Sequence, residues 1–185
     1  MSLTHWNYFL AVEQDTLDLS RYIEFSVANF STYSIEIARL LMTATQEVDV
    51  LAKQICGHHG DNSDKESGYR GFLPGRYPNL CMHEVSLVQF DIVVKPFDSW
   101  ASGTTPTWWT ANNKVKHERH TKFSRASIEN LLHAVSGLYL MNLYYYHCQS
   151  TLDKLWPGQK LLICFELVES MSTTALGNFP NHEIP

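Results

Sequence analysis

Residues 125–149 carry a helical pattern that is apolar on most of its circumference, through Ile128, Leu131, Leu132, Val135, Leu138, Leu140, Leu143 and Tyr144. A helix without a polar face must be covered on every side, so the rest of the chain has to supply the elements that pack around it. Residues 31–56 supply one of them. Tyr33, Ile37, Leu40, Leu41, Ala44, Val48, Leu51 and Ile55 recur at steps of three and four and fall on a single stripe. Ser31 or Thr32 is placed to cap its start, and Gly57 to close its end. Residues 4–27 continue the helical pattern around Trp6, Phe9, Leu10 and Leu17, with a turn-compatible stretch from Asp15 to Ser20.

Strand periodicity is confined to two short places. From Glu84 to Val94 apolar residues alternate with Ser86, Gln89 and Asp91 until Pro96 ends the run, and residues 161–168 offer a second strand that can pair with it. Five glycines and two prolines within 57–80 give that stretch the composition of a long loop. Pro106 can occupy the first turn of a helix running through 108–120, and Ser124 is a cap candidate for the 125–149 helix. The expected fold is therefore mainly α, a helical bundle with a small antiparallel β element near 84–94 and 161–168. At 185 residues the length suits a single domain, 1–185.

No run of residues reaches the length of a membrane span, and Met1 to Trp6 lacks the basic start of a secretory leader. A cytoplasmic location is expected. Cys56, Cys81, Cys148 and Cys164 contain no Cys-x-x-Cys pair and read as reduced thiols. His58, His59 and Asp61, even with His83 or the pair His147 and Cys148, do not follow metal-ligand spacing, so neither a metal nor a cofactor is expected.

Charge is the most informative feature for function. The chain has a net charge of −5, yet residues 112–125 carry five basic side chains against one acidic one. At 100° per residue, Asn113, Lys116, His117 and His120 share one sector of the 108–120 helix with Trp109, and Arg119 lies at its margin. Such a face combines phosphate ligands in Lys116 and Arg119, proton-transfer groups in His117 or His120, and an aromatic plane in Trp109. Lys122 and Arg125 extend its positive charge. These are the parts of a metal-independent ribonuclease. An imidazole can take the 2′-hydroxyl proton while a guanidinium steadies charge on the phosphate oxygens.

Residues 113–119, Asn-Lys-Val-Lys-His-Glu-Arg, follow Trp108 and Trp109 and precede the long apolar helix. Over roughly 106–145 this resembles the polar helix start of bacterial proteins similar to the HEPN helical superfamily. The resemblance implies a dimeric, RNA-binding protein of toxin–antitoxin or defence systems, either a metal-independent endoribonuclease or a non-catalytic partner. The family's motif of Arg, four to six residues, then His does not occur in this stretch; the nearest such spacing is Arg76 and His83, outside it. Carried over residue by residue, the catalytic roles go to Arg119 with His117 or His120 in altered order, and substrate contacts to Trp109, Asn113, Lys116, Lys122 and Arg125. The rival expectation is a non-enzymatic regulatory module, antitoxin-like, in which the same residues form a polar helix junction.

Overall fold

The computed structural model describes residues 3–164. Four long helices form the body: α1 (Thr4–Leu19), α2 (Ile35–His58), α4 (Thr107–Lys122) and α5 (Ile128–Cys148), with a shorter α3 (Glu66–Arg76) between α2 and α4. The fold is mainly α with a small antiparallel sheet, as the periodicities require.

The central pair is α2 and α5. Their N-terminal ends are tied together where the Ile128 amide donates to the Thr32 carbonyl (2.9 Å) and the Glu129 amide to the Phe30 carbonyl (3.2 Å). Their far ends meet at His59 and Cys148, so the two helices run parallel. α1 and α4 run antiparallel to α2. His5 meets Glu47 while Asp15 meets Arg39, and Asn112 shares a cavity with Asp49 while Arg119 reaches Met42. Fifteen of the 21 residues of α5 are buried, which is the consequence of having no polar face.

Boundaries moved where side-chain chemistry decided them. Ser34, rather than Ser31 or Thr32, caps α2, its Oγ accepting from the Ile37 amide; Ser127, rather than Ser124, caps α5 through the Asn130 amide. Gly57 lies inside α2, and Gly60 takes the left-handed turn (φ 78°) after it. α1 stops at Leu19, at the end of the turn-compatible stretch.

The segment 57–80 is not one long loop. α3 forms despite three glycines and Pro74 because Tyr69 and Leu73, four residues apart, bury against the core and Glu66 pairs with Arg70 at the same spacing. Nor is 84–94 one strand. It folds back on itself as a hairpin, β1 (Val85–Leu87) and β2 (Ile92–Val94), with Asp91 in the left-handed region (φ 52°) at the reversal. Val85 pairs with Val94, Ser86 with Val93 and Leu87 with Ile92, so the apolar alternation is kept on both arms. β3 (Leu162–Ile163) adds to the other edge of β1; of the expected 161–168 strand, Leu161 and Cys164 are not in strand conformation and 165–168 lies outside the described residues. Among the described residues no helix is long and apolar enough to cross a membrane.

Candidate functional site

α4 is held by its first two turns. Trp108 is buried and donates its Nε1–H to the Pro96 carbonyl at 2.8 Å, while Ala111 and Val115 continue the same inward stripe. α5 comes so close at this point that a Cβ on Gly137 would stand 3.3 Å from both Phe97 and Trp108. That anchoring turns the opposite side of α4 toward α2 and the start of α3.

There a cavity of about 620 Å³ opens, lined by Trp109, Asn112, Asn113 and Lys116 of α4, Thr45, Gln46 and Asp49 of α2, and Asp64, Lys65 and Glu66 before and within α3. Trp109, Asn113 and Lys116 are thus brought together as their spacing implies. The face does not continue beyond them. Glu118 has non-helical backbone angles (φ −128°, ψ 33°), which kinks α4 and breaks the 100° progression. Arg119 and His120 consequently line a second groove of about 820 Å³ with Ile35, Ala38, Met42 and Phe123. Met42 and Gln46 border both spaces, so the two are adjacent along α2. His117 is exposed and belongs to neither, and Lys122 and Arg125 are exposed beyond the kink.

Arg119 touches Met42 Sδ at 3.2 Å, and Lys114 pairs with Glu118 at 2.7 Å. Lys116, Arg119, Lys122 and Arg125 form no ion pair with any described residue, and no main-chain carbonyl among the described residues takes their donors. The polar helix junction expected of a purely structural role is therefore not what these four residues build.

The carboxylates of the first cavity escaped the sequence reading. Glu66 is fully engaged: Oε1 accepts from Arg70 Nε and Trp100 Nε1, both at 3.0 Å, and Oε2 from Thr105 Oγ1 at 3.0 Å. It ties α3 to the segment that leads into α4. Asp49 is half-buried, and burial pushes its carboxyl above the usual range, against the pull of the Tyr69 hydroxyl and the Lys53 and Lys116 ammoniums. Tyr69 is itself buried, and burial first, then the adjacent Asp49 carboxylate, push its phenol above the usual range. The signal for Asp49 was present as the run Thr45, Gln46, Asp49, which interrupts the apolar helix at helical spacing.

A second cluster lies where α2, α3 and α5 end. His59 Nε2 and Tyr77 Oη stand 2.7 Å apart, Tyr77 Oη and Cys148 Sγ 3.0 Å, and Arg76 Nε donates to His59 Nδ1 at 3.4 Å. Arginine only donates, so Nδ1 accepts, Nε2 carries the proton toward Oη, and the phenol proton is left for sulfur. His83 bonds Tyr144 Oη instead, and among the described residues no three His, Cys, Asp or Glu side chains converge as a metal site would need. The other three cysteines are buried, whereas Cys148 is partly accessible. Limited alkylation of the native protein with iodoacetamide, read by peptide mass spectrometry, is expected to label Cys148 first. Equal labelling of all four cysteines would contradict this arrangement.

No family model, no curated protein and no solved structure matches this chain.

Proposed function

We propose that this chain is a HEPN-like RNA-binding protein that engages RNA through the basic end of α4 and acts as a metal-independent endoribonuclease. The observation that carries the reading is the set of four exposed cations, Lys116, Arg119, Lys122 and Arg125, which have no ion-pair partner among the described residues in a chain of net charge −5. Exposed cations left without internal partners are suited to an external polyanion such as a nucleic-acid backbone. In this reading His117 takes the 2′-hydroxyl proton as that oxygen attacks phosphorus, His120 protonates the departing 5′-oxygen, and Arg119 steadies the charge on phosphate. The products are a 2′,3′-cyclic phosphate and a 5′-hydroxyl. The same reading makes the protein a cytoplasmic homodimer in a toxin–antitoxin or defence setting.

The test is cleavage of a labelled structured RNA in EDTA, beside His117→Ala and Arg119→Ala variants with unchanged melting curves. Cyclic-phosphate ends from the wild type and their loss in both variants are expected. Binding should weaken with salt. The slope of log K against log salt is expected to fall by about 0.7 for each lysine removed at Lys116 and Lys122, the value for a single strand.

The second groove favours an alternative. Ile35 is 80% exposed at its edge, and Ala38, Met42 and Phe123 give it an apolar lining suited to a protein partner. If the wild type cuts no RNA and binds none above 50 mM salt, a non-catalytic partner-binding module becomes the better description.

A further inference from the structure

The cavity beside Lys116 has an interior that phosphate binding leaves unexplained. Asn112 lines it, is only 9% exposed, and its carboxamide makes no hydrogen bond to another described residue. An amide in the wall of a cavity with no partner of its own is free to bond a polar group that enters. The other polar groups of the wall are unequal. Thr45 Oγ1 already donates to the Leu41 carbonyl at 2.7 Å, and both Glu66 oxygens are taken. Of the less exposed groups of the wall, the Asn112 carboxamide has no partner among the described residues and the Asp49 carboxylate has only the Tyr69 hydroxyl beside it, which leaves it acceptor capacity for a ligand, with the exposed ammoniums of Lys65 and Lys116 nearer the mouth. Asp64, also exposed, is the one carboxylate at that mouth.

Acceptors inside and cations at the mouth suit a neutral, donor-rich group attached to an anion. A nucleobase carried on a phosphate is such a group, and about 620 Å³ lies within the ordinary size of a small-molecule site. The bases differ in what they offer a carboxylate. Guanine presents two adjacent donors, N1–H and N2–H, and beside them the acceptor O6. Adenine and cytosine set a ring-nitrogen lone pair next to their amino group, and uracil flanks its single N–H with two carbonyls, so each turns a lone pair toward the carboxylate.

We propose that this cavity receives an unpaired guanine base, Asp49 accepting from N1–H and N2–H and Asn112 donating to O6, while Lys116 and Lys65 hold the adjoining phosphate. The inference rests on the RNA reading above and gives it a substrate class, single-stranded RNA containing guanine. Asp49 and Asn112 act in recognition, separately from the proton-transfer roles given to His117 and His120.

The experiment is calorimetric titration of the full chain with GMP, IMP, AMP, CMP and UMP at one ionic strength. A site built on hydrogen bonds rejects analogues that lack them, so GMP is expected to bind at least about tenfold more tightly than AMP, CMP or UMP. IMP, which lacks the N2 amino group, should fall between. Asp49→Asn, which keeps the shape of the side chain, should abolish the preference for GMP and leave the weak binding common to all five, and Asn112→Leu gives an independent check. Equal affinity for GMP and AMP overturns the proposal, as does an undiminished GMP preference in both variants with wild-type melting curves. The two readings separate cleanly. RNA binding with salt dependence but no guanine preference would sink the pocket and keep the RNA interface; GMP preference without RNA binding would sustain the pocket as a mononucleotide site and sink the interface.

Discussion

Replacement of Trp108 by alanine is expected to destabilise the protein by about 4 kcal/mol, the usual cost of emptying a large aromatic site in a packed core. For a chain of this size that corresponds to a fall in Tm of roughly 8–16 °C. Trp108 is 1% exposed, lies 5.9 Å from the Phe97 ring and 5.3 Å from Trp109, and fills the space that Gly137 leaves on α5. Alanine would open a cavity among these groups and also orphan the Pro96 carbonyl. Trp108→Phe keeps most of the volume and loses the N–H, so its cost should be about 1–3 kcal/mol, the range for a buried acceptor left unpaired. Urea denaturation followed by circular dichroism measures both. A loss under 1 kcal/mol for the alanine variant would mean that α4 is not anchored at this point.

The second large effect belongs to Glu13 on α1. It is 1% exposed, and its carboxylate accepts the backbone N–H groups of Lys160 (3.0 and 3.1 Å), Leu161 (2.8 Å) and Leu162 (3.3 Å). One side chain thereby satisfies the donors of the segment that enters β3. Glu13→Ala leaves those donors without their acceptor, at an expected cost of about 3 kcal/mol. Burial holds the Glu13 carboxyl above its ordinary value of 4.5, while the three amides and Lys160 pull it back. The folded state then binds this proton more tightly than the unfolded state, so the contribution of Glu13 to stability falls as pH rises from 4.5 through the folded value. Glu13→Gln cannot titrate. The stability difference between wild type and Glu13→Gln should therefore favour the wild type most at the acid end and decline across that window. A difference that grew with pH would show that the amides outweigh burial.

The helical bundle could be read in advance because α2 and α5 bury continuous stripes, and a 3.6-residue period survives any change of neighbours. α3 could not. Its composition opposes a helix, and what holds it is the burial of Tyr69 and Leu73 together with the bonds from Glu66 to Trp100 and Thr105, all of them made to distant residues. The hairpin is not legible in the same way, because alternation is identical in one strand and in two that fold back. Its left-handed Asp91 is a single residue among several polar ones.

Legibility of the site follows the same division. Trp109, Asn113 and Lys116 share a cavity because the first half of α4 is regular, and Arg119 and His120 leave it because Glu118 is not helical. Asp49 and Glu66 come from other elements, and only the fold brings them to α4.

The kink at Glu118 also separates two kinds of evolutionary freedom. Upstream of it, Trp108, Ala111 and Val115 face the core, so drift at those positions is paid for in folding. Downstream, residues 119–122 are exposed, and Arg119 and His120 stand against a groove lined largely by surface side chains. Substitutions in that last turn can change the charge and shape of this surface while leaving the body of the molecule intact, and duplicated copies could diverge at the surface through this one turn alone.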